Sequence, residues 1–410
     1  MPTRRPQVAM VTAFALLACE APAPPPADLD AAWSEYHRVL EETRALLETS
    51  DQADTPTTQA EATRYLTGLI ALHNQAHLHF SDPDHPILHR SVAIGNKWGF
   101  SNPDNLYLSA RVEAGAAYRI SGRLGTANQT TIGSYAGDTQ DARAGDRIRG
   151  EDLVIEADGS FTLVLSAERT PGNWLPLDPE ATSISIYQIF GDWEQETKGV
   201  FRIERIGTEG RPSPPLEPDE TAARLVAAAE NVRHTVRTWL AVTDQLSWIP
   251  KNTLARPREI QVASLGAWFV PGRFDLAPRE ALIVEFPVPE RARYWGFTLY
   301  NGWSETLDYA NRQTSLNARQ TRIDPDGMIR LVLAAEDPGV PNWLDITGHP
   351  RGFLTWRVTS DVQPPQPETR VVALEALRES LPPETPRIDP EARRRAIEAR
   401  QTHVAQRYAD

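Results

Sequence analysis

The sequence predicts a mainly β protein with α additions: two tandem antiparallel, jelly-roll or sandwich-like domains with N-terminal, linking and C-terminal helices. Three observations predict it. Short β-branched and aromatic runs alternate with Gly, Asn and Asp turns over about 104–125, 152–206 and 259–360. The chain has 410 residues, beyond the roughly 250–300 at which a single core stops growing. Finally, a β segment recurs. Ile155 to Leu175 (IEADGSFTLVLSAERTPGNWL) matches Ile323 to Leu344 (IDPDGMIRLVLAAEDPGVPNWL) at eleven of twenty-one positions with one gap. Both copies carry an Asp-Gly turn and end on Asn-Trp-Leu. Upstream of them, Tyr118 and Tyr294 stand at similar offsets.

The elements follow in order. Arg4 and Arg5, the apolar stretch Val8 to Leu17 and then Ala18-Cys19 have the order of a secretory signal. Leu16-Leu17-Ala18-Cys19 resembles the lipobox of bacterial lipoproteins, in which the cysteine is lipidated, so Cys19 is expected to be a membrane anchor. As the lone cysteine it makes neither an intramolecular disulfide nor a cysteine zinc site. The Pro-rich stretch that follows reads as a stiff spacer. Trp33, Tyr36, Leu40 and Leu47, then Tyr65, Leu69, Leu72, Ala76 and Phe80, keep helical spacing, with a polar loop and a proline stop over 50–58 between them. Asp158-Gly159, between LVIEA and SFTLVLSA, signals a hairpin.

Residues 208–220 hold four prolines and read as a linker to a helix over about 221–246. PPQPE (364–368) precedes a short helix near 370–381, and Asp389-Pro390 caps a last, basic helix whose Arg393-Arg394-Arg395 is expected to be a solvated face. The predicted organisation is signal peptide 1–18, tether 19–28, helical pair 29–90, first β domain 91–207, linker and helix 208–255, second β domain 256–362 and C-terminal helices 363–410.

DLAPREALIVEF (275–286), YWGFTLYNGW (294–303), DYANRQTSLN (308–317) and DPGVPNWLDITGHPRG (337–352) resemble the bacterial "domain of unknown function 1214" family. The resemblance covers about residues 265–358, with a diverged first copy in the N-terminal half. KWGFSNPDNLYLSARV (97–112) resembles the region that accompanies this domain in longer members. The resemblance implies a predominantly antiparallel β fold of jelly-roll or sandwich type. It implies no agreed activity and supplies no metal.

Composition narrows the function. With 55 acidic residues against 42 basic ones and net charge −13, a nucleic-acid partner is excluded. No G-x-S-x-G elbow, Walker loop, G-x-G-x-x-G fingerprint or EF-hand occurs, so no nucleotide cofactor is expected, nor any other. Five of nine histidines fall between 73 and 89. His73 and His77 lie one helical turn apart, as zinc-binding pairs do, but Asn74 stands where a metalloprotease has its general base. Packing against the β domain is the alternative, and the expectation is no metal.

Two loop sets offer polar chemistry. His349 could serve as a general acid or base oriented by Asp345 or Asp337, with Arg351 beside it and Trp343 and Asn342 as stacking and hydrogen-bonding groups. Trp303, Asn311, Arg312, Ser315 and Asn317 form a second set suited to a polar ligand. Asn-Trp-Leu recurs in both copies, which argues that it builds the fold.

The expected function is a lipid-anchored envelope protein, facing the periplasm or exterior, that binds a small polar or glycan-like ligand. The alternatives are a cofactor-independent hydrolase or lyase using the His349 region, and a structural scaffold. Protein partners are not indicated.

Overall fold

The computed structural model describes residues 28–137, 143–260 and 267–409; Cys19 and the signal segment lie outside them. Helix α1 (Leu29–Glu48) starts where the Asp28 carboxylate accepts from the Ala31 amide at 2.7 Å. Helix α2 (Pro56–Asn74) opens on a reciprocal capping box between Thr55 and Thr58. Pro56 therefore begins this helix rather than stopping the previous one, because its missing N–H falls among donors that are unpaired anyway. A π-helical turn, Gln75–His79, extends α2.

Helix α3 (Pro218–Leu246) does more than link. Its Val232 and Val236 share a core with Leu47, Leu66, Leu69 and Leu72, and its Ala222, Leu225 and Ala229 pack on Ala32, Tyr36 and Val39. The three helices thus form one bundle. Among the described residues no helix is long and apolar enough to cross a membrane.

The first half holds β1 (His89–Val92), β2 (Asn105–Arg111), β3 (Tyr118–Arg123), β4 (Gln129–Ala136) and β5 (Arg143–Arg149). It continues with β6 (Phe161–Ser166), β7 (Asn173–Pro176), β8 (Ala181–Ile189) and β9 (Val200–Arg205). The second half holds β10 (Thr253–Leu254), β11 (Arg258–Ile260), β12 (Ala267–Asp275), β13 (Glu280–Pro287) and β14 (Tyr294–Tyr300). It ends with β15 (Ser315–Asn317), β16 (Met328–Ala334), β17 (Trp343–Asp345), β18 (Arg351–Thr359) and β19 (Glu368–Ala373).

The sheet orders show the duplication. β2-β8-β4-β5 faces β7-β6-β3-β9 in the first half; β12-β18-β14-β15 faces β17-β16-β13-β19 in the second. Every strand of one unit has its counterpart ten labels later. Each unit is a sandwich around its own apolar core, Ile132, Phe161, Leu163 and Ile186 in the first, Phe286, Phe297, Leu331 and Trp356 in the second. All pairs are antiparallel except β6–β7 and β16–β17, which are parallel.

The topology corrects four sequence readings. Tyr118 lies on β3 and Tyr294 on β14, so these tyrosines are not equivalent. The Asp158-Gly159 turn exists, with the Gly159 amide donating to Glu156 O at 2.9 Å, but its first arm is no strand. The Asn173 amide group takes the place of a strand there, accepting from Val154 N and donating to Val154 O and Thr162 O. Residues 370–381 form the end of β19 and two short 3-10 turns (Leu374–Ala376, Arg378–Ser380) rather than a helix.

The last correction concerns helix α4 (Pro390–Tyr408), which is wedged against both sandwiches. Arg394 and Arg395 are exposed, but Arg393, Arg400 and Arg407, seven residues apart, are all buried. Their guanidinium groups lie over Trp343 (5.0 Å), Trp193 (5.1 Å) and both Trp193 and Phe190 (4.7 and 4.8 Å). Stacking on aromatic rings and bonding to backbone carbonyls takes up most of their donors inside the protein, only Nη2 of Arg407 being left without a hydrogen bond, which a charge count along the helix does not reveal.

Candidate functional site

A cleft of about 290 Å³ opens between the turn joining α1 and α2, the C-terminal end of α3 and the adjacent ends of β12 and β18. Gly302 packs against this turn: a Cβ there would come within 2.3 Å of the Gln52 side-chain oxygen, so that side chain would have to shift. His349 and Arg351 line one wall, and Lys251, Arg273 and Asp275 another. Phe274 and Phe353 add an apolar patch.

The loop before β18 aims His349. Thr347 and Gly348 both take left-handed backbone conformations, φ +52° and +77°, and the Thr347 amide donates to Asp345 Oδ1 at 2.7 Å. The imidazole is then fixed at both nitrogens. Nδ1 lies 3.1 Å from Ile346 O and 2.8 Å from Thr347 Oγ1, while Nε2 lies 3.1 and 3.2 Å from the two Glu61 oxygens. A carbonyl on one side and a carboxylate on the other suit an imidazolium that donates twice. Burial alone lowers the His349 pKa, but the Glu61 hydrogen bond and charge outweigh it and hold the imidazole above its usual value. Burial raises the Glu61 carboxyl, and His349 together with Arg64 and Asn301 more than reverses that.

Behind this pair the charges continue inward. Arg64 reaches Glu61 at 3.7 Å and the buried Glu305 at 3.1 Å, and Glu305 accepts from the Asn301 side chain at 2.9 Å. The Lys97 ammonium donates to Thr306 O at 2.6 Å, its pKa lowered by burial. At the cleft mouth Arg351 pairs with Asp54 of the helical turn.

The other expected site residues are placed elsewhere. Asp345 bonds Arg312 at 2.9 Å, and Asp337 bonds Arg393 at 2.9 Å, so neither contacts His349, and Asp345 reaches it only through the Thr347 amide. Trp303 is buried and donates to Thr58 O at 3.0 Å, pinning α2 to the loop after β14. Asn311 bonds Asp308 and Gln401. Ser315 is buried beneath Arg400, and Asn317 donates to the buried Asp104 at 2.9 Å. Asn342 accepts from Arg322 N and donates to Arg322 O and Arg330 O, matching Asn173 bond for bond. Trp343 is buried and donates to Ala334 O at 3.0 Å. Of the sequence-selected set, His349 and Arg351 alone are cleft-lining residues.

His73 is buried against Thr235, Nε2 to Oγ1 3.0 Å, with its ring 6.1 Å from that of His77. Burial, with the charges of His77 and His234, pushes its pKa down to about 3. Among the described residues no group of three His, Cys, Asp or Glu could hold a metal ion.

The sequence reading missed Glu61, Lys251, Arg273 and Asp275. Glu61 stands 288 residues from its partner, so no local spacing could have paired them.

Comparisons with known proteins bear on both copies. The family described as "Protein of unknown function (DUF1214)" matches residues 126–191 and 274–361. The crystal structure of an uncharacterized protein from Burkholderia cenocepacia is 31% identical with a TM-score of 0.80, covering 84% of this chain and 98% of that one. The VPA0106 protein from Vibrio parahaemolyticus is 12% identical with a TM-score of 0.45, over 76% of this chain and 98% of that one. No curated protein matches. With both copies matched and a 31% identical relative covered almost end to end, the chain belongs to the DUF1214 family of proteins of unknown function.

Proposed function

We propose that this chain is a lipid-anchored envelope protein that binds a small polar or glycan-like ligand in the cleft beside its second β domain. One observation carries the binding reading. His349 and Arg351, both from the segment DPGVPNWLDITGHPRG, line a cleft large enough for a small molecule, about 290 Å³. In the first copy the segment after Trp174 is LPLDPEAT, with no histidine or arginine at all. A hydrolase or lyase would need an imidazole nitrogen turned to the substrate. Those of His349 are turned to Ile346 O and to Glu61, so binding fits better.

The test is thermal-shift and calorimetric titration with neutral, acidic and amino monosaccharides and disaccharides. At least one is expected to saturate the protein, raise its Tm and lose affinity about tenfold or more in Arg351→Gln. Saturation unaffected by Arg351→Gln and by Gly302→Val, which crowds the cleft, would move the site elsewhere.

Anchoring rests on Leu16-Leu17-Ala18-Cys19. Labelling with an alkyne fatty acid in a bacterial host should tag the protein and fail for Cys19→Ser. Equal labelling of that variant would exclude Cys19 as the lipid site.

A further inference from the structure

We propose that the ligand of this cleft is an anion, a small molecule bearing a carboxylate or phosphate, anchored by Arg273 together with Lys251 and Arg351. This deepens the binding reading above and rests on it.

The first observation is the set of cations in the lining. Lys251, Arg273, His349 and Arg351 face the cleft. Asp275, Glu61 and Asp54 each neutralise one of them, and Arg273 is the fourth.

The second observation is Arg273 itself. Its Nη1 donates to Ser247 O and, at 3.2 Å, to Ile249 O, carbonyls at the C-terminal end of α3. These bonds hold one edge of the guanidinium in place. Among the described residues it has no carboxylate within ion-pair distance, unlike the other three cations of the cleft. A planar guanidinium held along one edge can present its other donors to two oxygens of a carboxylate or phosphate.

The third observation concerns its neighbours. Lys251 pairs with Asp275 at 2.5 Å with side chains 66% and 34% exposed, and Arg351 pairs with Asp54 with side chains 52% and 38% exposed. Solvent-exposed pairs of this kind contribute little to stability. An incoming anion can therefore exchange for either aspartate at little cost. The hydrogen bond from His349 to Glu61 favours the protonated imidazole at the edge of the cleft. Phe274 and Phe353 give the carbon skeleton of the ligand an apolar contact.

The shared chemistry could come from a soluble acid or from a lipid headgroup, and the test separates them. The full chain is titrated with D-glucuronate, D-glucose 6-phosphate and D-glucose, and is floated with phosphatidylglycerol vesicles, each at 50 mM and 500 mM NaCl. An anionic sugar is expected to bind at least tenfold tighter than glucose, with the preference shrinking at high salt. Arg351→Gln and Arg273→Gln should each reduce that preference severalfold. Arg351 is exposed, so its variant keeps the test informative even if loss of Arg273 loosens the end of α3. Salt-sensitive flotation without soluble binding, lost in Arg351→Gln, would assign the headgroup. Glucose binding as tightly as its anionic counterparts overturns the anion and leaves the polar-ligand reading standing. No binding by any probe or vesicle overturns both.

Discussion

The two β sandwiches share one blueprint and differ in what covers it. Strand order, the parallel pair and the asparagine clamp are the same in both: Asn173 holds Val154 and Thr162 as Asn342 holds Arg322 and Arg330. The tryptophan that follows is treated differently. Trp174 is half-buried under Arg169 of its own loop, at 5.4 Å, whereas Trp343 is buried under Arg393 of helix α4. Beyond it, the second copy sends His349 and Arg351 to the helical turn, while Asp178 and Glu180 of the first copy pair with Arg143 of their own sheet. Duplication preserved the frame, and divergence occurred where the second sandwich meets helices. That is where a pocket can form without cost to the core.

The helix that joins the halves gives the largest expected effect. Arg407 donates to Pro103 O and to His403 Nε2 and stacks on Phe190 and Trp193, all from inside the protein. Arg407→Ala should lower the unfolding free energy by about 4 kcal/mol, as other large-to-small changes in cores do. Denaturant midpoints measure it. A loss below about 1 kcal/mol would mean that α4 only rests on the sandwiches.

The asparagine clamps come next. Asn342→Ala should cost about 3 kcal/mol, because Arg322 N and O lose their partners at a site 6% exposed. Asn173→Ala should cost about half as much, since Asn173 is only half-buried and water can reach the groups it bonds. Equal costs would show that the deeper burial of Asn342 adds nothing to the clamp.

Much of the frame was legible in the sequence because it rests on local rules. Helix periodicity placed α1, α2 and α3, and the recurrence of Asn-Trp-Leu announced the duplication. What escaped depends on distance or on satisfaction. β4 (QTTIGSYA) is polar and small by composition, yet its core-facing Thr130, Ile132 and Ser134 are all buried. The stripe Arg393-Arg400-Arg407 shows a seven-residue spacing that could have marked one buried helix face. Its charge concealed this, since arginine is buried only when aromatic rings and carbonyls take it up. For the site, the motif supplied His349 and Arg351, whereas Glu61 and Asp54 come from α2 and the turn before it, which only the folded chain brings near.

The smallest effect tests whether the pocket side of the second sandwich is coupled to the helices by protonation. The folded His349 pKa is raised, so its contribution is full below the ordinary 6.5 and is lost as pH rises through the folded value. Glu61 is lowered, so its contribution is full above 4.5 and is lost as pH falls through its own folded value. The pair therefore stabilises most between about 4.5 and 6.5. Burial, aided by neighbouring charge, pushes His73 and His403 down to about 3, and they act in the opposite sense. They stay neutral in the fold and cost stability as pH falls from 6.5 towards 3. Comparing wild type with His349→Gln at each pH cancels that common slope. The gap should be about 2 kcal/mol at pH 5.5, the size expected for a hydrogen bond to a charged group, and should shrink several-fold by pH 8.5. A gap that stays constant across this range would reduce the His349–Glu61 contact to packing.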